Sequence, residues 1–230
     1  MTGDPHFGVS VLTTAYLPPV EYFFAMAHSD RVLIEQHEAY QKQSWRNRCR
    51  ILATAGPEDL SIPVVKEERL SRPIRDIRID YGEPWLQHHI RAFEAAYNTS
   101  AFYDYYADDL IPILERRPAF LFDLNMALLE KLLELLDLHT PVSLTDSFEK
   151  SFVIPGLTGN LADFRDRIQP KYKGESLLAE YNREQAYYQV FVNQIPGQAR
   201  NDGTSSFIPN LSILDLLSAE GPNAGAFLRI

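Results

Sequence analysis

The sequence predicts an α/β fold, and three observations support that prediction. The N-terminal third carries short apolar runs bounded by turn residues, which is typical of strands. From Pro84 onward the apolar residues recur every three or four positions, which is typical of helices. The composition, 45% hydrophobic and 12% aromatic, is that of a globular protein.

The length sets the expected domain organisation. A chain of 230 residues is long enough for one sizeable core and short for two complete domains. We therefore expect a single domain over residues 1–230, with a short mixed sheet from the N-terminal third covered by helices from the middle and the C-terminus. Two segments near 153–161 and 194–205 share an Ile-Pro-Gly pattern, so we expect them to be surface-loop insertions.

The strands and the first helix follow from local patterns. Prolines at positions 18 and 19 break the first strand, and a helix over about 20–27 follows them. The turn around Gly56 predicts a hairpin between the strands that flank it. The predicted strands cover residues 9–14, 31–34, 37–51, 60–65 and 74–79.

The later helices are predicted from apolar stripes. The first of them begins near Pro84, which suits a first helical turn. Its stripe consists of Leu86, Ile90, Phe93 and Tyr97. Further helices are predicted over 101–114 and 120–138. A last helix should have Asn210 as its N-cap and stop at Gly221.

The charge balance argues against a nucleic-acid partner. The chain has a formal net charge of -9 and a pI near 5.2, whereas nucleic-acid binding depends on a broad basic surface. The single Cys49 excludes an internal disulfide, and the N-terminal segment lacks the pattern of a secretory signal. The longest apolar runs fall far below the ~18 residues of a membrane span. We therefore expect a cytoplasmic protein with no membrane span.

Three arginines alternate in the run from His37 to Ile51. Read as a strand, this run places Arg46, Arg48 and Arg50 on one face. Like charges so close repel one another, so this arginine row needs an anion or a set of carboxylates across it. One interpretation is a clamp for a phosphate or carboxylate ligand. The other is a salt-bridged outer strand, for which 31 Asp and Glu residues supply partners, and the sequence leaves both open.

Other polar residues are candidates for the same site. His37 directly follows the second predicted strand, and either His37 or His88 could act as a catalytic general base. Asn47 lies on the apolar face of the arginine run and Asn125 lies in a leucine stripe, so each needs a hydrogen-bond partner. Tyr16 belongs to a strand-to-helix turn that can line a pocket. We count both asparagines and the tyrosine as candidate substrate contacts, although capping or core packing would also explain each of them.

Several motifs occur in an order that resembles a known family. They are Tyr16-Leu17-Pro18, Gln43-Ser44-Trp45-Arg46-Asn47-Arg48, Ser61-Ile62-Pro63-Val64, Trp85 with His88, Ala96-Tyr97, Phe122-Asp123-Leu124-Asn125 and Pro209-Asn210-Leu211-Ser212-Ile213-Leu214-Asp215. On these motifs the chain resembles the WbqC-like family, in the form common in Bacteroidetes, across nearly all its length. It departs from many relatives at Thr13-Thr14-Ala15, where they carry His-Gln or a lone Gln, so no role of that His or Gln is carried over.

The resemblance implies a role in cell-surface polysaccharide synthesis, especially of O-antigen. We expect a transferase that acylates or aminoacylates an amino-sugar nucleotide, which is an anionic small-molecule ligand. In this hypothesis the arginine row holds the diphosphate, Asn47 orients the sugar, and His37 or His88 takes the proton of the attacking amine. The sequence has no glycine-rich phosphate loop and no zinc-like Cys/His spacing, so we expect no metal and no cofactor. The alternative is a non-catalytic binding or assembly protein of the same pathway.

Overall fold

The computed structural model describes residues 5–66, 72–148, 161–181, 183, 187, 189 and 207–229, and these contain a four-stranded parallel sheet. Strand β1 (Val9–Thr13) pairs with β2 (Arg31–Glu35), and α1 (Val20–Ala27) connects the two. Strand β5 (Val142–Leu144) lies beside β2, and β6 (Leu161–Asp163) lies on the other side of β1. The strand order is β5-β2-β1-β6, so the carboxyl ends of four parallel strands meet at one edge.

A separate antiparallel hairpin carries part of the arginine run. It consists of β3 (Arg48–Ala53) and β4 (Gly56–Ser61), and Arg48 lies opposite Ser61. The α/β class is therefore confirmed, but the prediction of one mixed sheet is wrong. Among the described residues the hairpin strands pair with each other, and the parallel sheet takes β5 and β6 from beyond the N-terminal third.

The segment predicted as a strand over 74–79 is irregular instead. It begins with a 3-10 helix, Ile74–Asp76, and isolated bridges follow at Arg78 and Ile79. Its apolar residues are buried, as a strand would also have required. However, Ile74 and Ile77 are three positions apart, and that spacing places both on one side of a 3-10 turn.

The helices predicted from Pro84 onward are present with shifted ends, as α2 (Trp85–Tyr97), α3 (Tyr103–Glu115), α4 (Leu121–Leu135) and α6 (Ile213–Glu220). Two short helices that the sequence did not predict are also present, α5 (Leu177–Glu180) and α7 (Ala224–Arg229). The prediction that Asn210 caps α6 is wrong, because Ser212 is the N-cap and its Oγ accepts a hydrogen bond from the Leu214 N–H. Asn210 instead has a φ of 65° in the turn before the cap.

A continuous hydrophobic cluster joins the parallel sheet, the hairpin and the helices. Backbone hydrogen bonds reinforce it: the Tyr16 N–H donates to the Trp45 carbonyl at 2.8 Å, and the Ser212 N–H donates to the Arg50 carbonyl at 2.7 Å. No helix within the described part of the chain is long and apolar enough to span a bilayer. The single domain over 1–230 stays a prediction, and the loops predicted near 153–161 and 194–205 lie outside the described residues apart from Leu161.

Gly225 lets α7 lie directly against the end of α4. A Cβ on Gly225 would overlap the carbonyl oxygen of Leu136 and lie 3.0 Å from its carbonyl carbon. We expect Gly225→Ala to lower the free energy of unfolding by about 1–3 kcal/mol, the usual cost of overpacking. Helix propensity alone would favour alanine by about 1 kcal/mol, so the sign of the change tests the steric argument.

Urea unfolding measures this change, with Gly82→Ala as the control. A Cβ on Gly82 would meet only the movable side chain of Asp80, at 3.1 Å. A Gly225→Ala variant as stable as the wild type would show that α7 can shift away from Leu136.

Candidate functional site

A cleft of about 600 Å³ lies between the β3–β4 hairpin and the N-terminal end of α2. Asn47, Arg48 and Asp59 line the hairpin side. Trp85, His88 and His89 line the helix side, and the loop before the hairpin closes a third side with Lys42. The volume is typical of small-molecule sites.

The first turns of α2 carry two neighbouring histidines, His88 and His89, which differ in their exposure at the cleft. Trp85 is the first residue of the helix, and His88 and His89 follow within its first turns. Adjacent helical residues point about 100° apart, so His89 is buried whereas His88 is exposed. His88 is therefore the solvent-accessible imidazole of the cleft.

His89 is held neutral by its surroundings. Its Nδ1 shares a hydrogen bond of 3.0 Å with the Tyr16 hydroxyl, and its ring meets that of Trp85 edge-on at 5.1 Å. Burial, and secondly the neighbouring His88, lower the pKa of His89 to about 4. The candidate contact Tyr16 thus lies behind the cleft wall, where it positions His89.

Asn47 has one buried polar atom that remains unpaired within the described ranges. Its Nδ2 donates to the Ile62 carbonyl at 2.8 Å, and the Ile62 N–H donates to the Asn47 carbonyl at 2.8 Å. The Asn47 Oδ1 is buried and has no hydrogen-bond partner among the described residues. A buried acceptor left in this state costs about 1–3 kcal/mol. A ligand hydroxyl or amine that reached this oxygen would remove that cost.

The three arginines lie in different environments, which corrects the predicted strand over 37–51. Strand β3 begins only at Arg48, because that is where pairing with β4 begins, so Arg46 lies before the strand. Arg48 and Arg50 share one carboxylate: the Arg48 Nη1 donates to Asp59 at 3.1 Å, and the Arg50 Nε donates to it at 2.7 Å. Arg48 lines the cleft, whereas Arg50 does not.

Arg46 is buried behind the hairpin in an ion pair with Glu38. Its Nε donates to one carboxylate oxygen at 2.8 Å, and its Nη2 donates to the other. Burial raises the pKa of Glu38, and Arg46 acts in the opposite direction. The Nδ2 of Asn125 donates to the Arg46 carbonyl at 2.8 Å. Arg46 and Asn125 therefore hold the backbone next to Asn47 and do not line the cleft.

His37 lies elsewhere, at the carboxyl edge of the parallel sheet. Its Nε2 donates to the Thr145 carbonyl at 3.0 Å, and its backbone N–H donates to Glu35 at 2.7 Å. Glu35 is fully buried and lies 3.5 Å from Arg165, which pairs with Asp163 at 2.6 Å. Sequence reasoning missed this charged cluster, although Glu35 follows an apolar run directly and could have signalled it.

The cleft thus combines Asn47, Arg48 and His88 from the predicted site. Sequence reasoning missed Trp85 as part of the cleft wall, and the signal was its position three residues before His88 on a helix. It also missed Lys42, which gave no signal beyond its charge. Within the described ranges, no group of three or more His, Cys, Asp and Glu residues is arranged to hold a metal ion.

Comparison with known proteins identifies the family. The model of the WbqC-like protein family matches residues 14–227. The relative named "Uncharacterized protein Rv1507c", from Mycobacterium tuberculosis, is 30% identical over an alignment of 228 residues, and the alignment covers 96% of this chain and 97% of the relative. No solved structure matches the chain. The resemblance inferred from the motifs is confirmed, and the chain belongs to the WbqC-like protein family.

Proposed function

We propose that this protein is a transferase of cell-surface polysaccharide synthesis that acylates or aminoacylates an amino-sugar nucleotide in the cleft. The observation that carries the proposal is that three groups line one cavity: an accessible imidazole, an arginine, and a buried amide oxygen that has no hydrogen-bond partner in the described part of the chain. Membership of the WbqC-like family supports the assignment to this pathway.

The residues of the cleft have separate roles in the proposed reaction. The Asn47 Oδ1 accepts a hydrogen bond from a sugar hydroxyl, which fixes the ring. The amine of the sugar then attacks the acyl carbon, and a nitrogen–carbon bond forms while the bond to the leaving group breaks. His88 takes the proton that the amine loses, as a general base. His89 stays neutral at pH 7, because its pKa is about 4, and does not compete for that proton.

Thermal-shift measurements test ligand binding first. A nucleotide-linked amino sugar should raise the melting temperature, because a ligand that binds only the folded state stabilises it. The same sugar without its nucleotide should give a smaller shift. Acyl and aminoacyl donors are then added, and the product is detected by its gain in mass. No shift with any nucleotide-linked sugar would contradict the proposal.

His88→Ala should lower the rate of transfer about 100-fold, the lower end of the range for general-base catalysis. The effect should fall on kcat rather than KM, because His88 acts on the proton and not on sugar recognition. Steady-state kinetics on purified protein measures both constants.

His139→Ala is the control for this variant. His139 is an exposed histidine beside Asp137 and does not line the cleft. An equal rate for wild type and His88→Ala would exclude His88 as the base.

One observation favours the alternative of a non-catalytic binding protein. Arg48 and Arg50 are already covered by Asp59, as expected for a salt-bridged outer strand. Such a protein would bind the nucleotide-linked sugar and form no product with any acyl donor. The thermal-shift and product assays together therefore separate the two functions.

A further inference from the structure

A second cavity of about 300 Å³ adjoins the cleft. Lys42 and Gln43 line both cavities, so the two spaces meet across this turn. The far side of the second cavity is formed by Lys171, Tyr172 and Lys173. Gln43 has a φ of 57° at the junction, and such uncommon backbone conformations cluster at ligand-binding loops.

The two cavities differ in charge. Of the described residues that line the second cavity, Lys42, Lys171 and Lys173 are basic and one, Asp166, is acidic. Of those that line the cleft, Lys42 and Arg48 are basic and Asp59 and Glu83 are acidic. The second cavity therefore suits the anionic end of a ligand, and the cleft suits its neutral end. This contrast is local, since the whole chain has a formal net charge of -9.

Tyr172 offers an aromatic face beside these lysines. Its side chain is 44% exposed, which is unusual for a large aromatic residue. A Cβ on Gly174 would come within 2.7 Å of the Tyr172 Cε1, so the ring lies directly over the glycine backbone. Glycine thus supports the ring from one side. Exposed aromatic rings of this kind stack on nucleobases.

We propose that the second cavity is a nucleoside-diphosphate subsite. Lys42, Lys171 and Lys173 contact the diphosphate, and Tyr172 stacks on the base. The ligand crosses the turn at Lys42 and Gln43, so that its sugar enters the cleft beside Asn47. This assignment rests on the proposed function for the identity of the sugar. It moves the diphosphate from the arginine row to the lysines.

Titration calorimetry with UDP tests the lysines. The double variant Lys171→Ala with Lys173→Ala should bind UDP at least tenfold more weakly than the wild type. The control removes two positive charges elsewhere, by Lys66→Ala with Lys131→Ala, and should change the affinity less than twofold. Melting temperatures without ligand verify that both variants are folded. Equal UDP affinity in the two double variants would overturn the subsite.

Variants at Tyr172 distinguish recognition of the base from recognition of the phosphates. Tyr172→Ala should weaken UDP binding about tenfold and leave the affinity for inorganic pyrophosphate unchanged, whereas Tyr172→Phe should keep both. Unchanged UDP binding by Tyr172→Ala would overturn the stacking role.

A diphosphate also occurs in nucleotide-linked acyl donors. A competition experiment against bound UDP therefore shows which of the two ligand classes the subsite binds. A UDP-linked amino sugar should displace UDP, and displacement by coenzyme A alone would overturn the assignment to sugar nucleotides. Lysine-dependent UDP binding without any transfer product would refute the enzyme and retain the subsite. Product formation that depends on His88 but is unaffected by the lysine variants would refute the subsite and retain the enzyme.

Discussion

Replacing Arg46 with alanine should lower the free energy of unfolding by about 3–5 kcal/mol, because it removes one partner of a buried ion pair. Arg46 is 1% exposed and Glu38 is 5% exposed, so the variant would leave a carboxyl group in the interior without its cation. Protonation of Glu38 lessens the cost, and burial already raises the pKa of this group. Urea unfolding at pH 7 measures the difference.

Arg50→Ala is the matched control for this prediction. Its ion pair with Asp59 is partly exposed, and Asp59 keeps a contact to Arg48 in the variant. We expect a loss below about 1 kcal/mol there. The double variant Glu38→Gln with Arg46→Met should recover much of the stability that Arg46→Ala loses, since no charge is left buried. A loss in Arg46→Ala no larger than that in Arg50→Ala would show that Glu38 finds another donor.

Acid should destabilise the protein through His89. The pKa of His89 is about 4 in the folded chain and 6.5 is its ordinary value, so the unfolded chain binds the proton first as the pH falls. The stabilising contribution of the neutral imidazole is complete above pH 6.5 and is lost as the pH falls towards 4. The loss amounts to about 3 kcal/mol at pH 4.

The variant His89→Asn tests this dependence, because asparagine keeps a polar group for the Tyr16 hydroxyl but does not titrate. The unfolding free energy of the wild type minus that of the variant should fall by about 3 kcal/mol as the pH falls from 7 to 4. Taking the difference cancels Asp215, whose pKa burial raises to about 7 and which therefore stabilises the fold in acid. His88→Asn serves as the control on the exposed neighbour. A difference that stays constant with pH would contradict the role of His89.

Local patterns predict the elements whose contacts are close in sequence. The helix over 20–27 is present as Val20–Ala27, because two prolines fix its start and an apolar run fixes its face. The arginine run shows the limit of such patterns. Alternation correctly places Arg48 and Arg50 on one face, but the start of the strand depends on where β4 pairs with it. Arg46 therefore leaves the row and pairs with Glu38.

The site could be predicted only in part for a similar reason. The sequence shows that Asn47 needs a partner and offers His88 as a possible general base, and both residues line the cleft. It does not show that the hairpin and α2 lie next to each other, since that contact joins distant segments. Lys171 and Tyr172 are further still along the chain and are brought to Lys42 only by the folded structure.

Strand β1 completes its pairing late in synthesis. Its Val9 lies opposite Arg31 on one side and opposite Leu161 on the other. A chain that grows from its N-terminus can pair β1 with β2 early, but the second edge of β1 stays open until β6 has been made. Open strand edges recruit strands of other chains and so promote aggregation. The strand order therefore leaves the nascent chain prone to aggregation between the synthesis of β1 and that of β6. In a chain truncated before Leu161, this edge of β1 would stay unpaired.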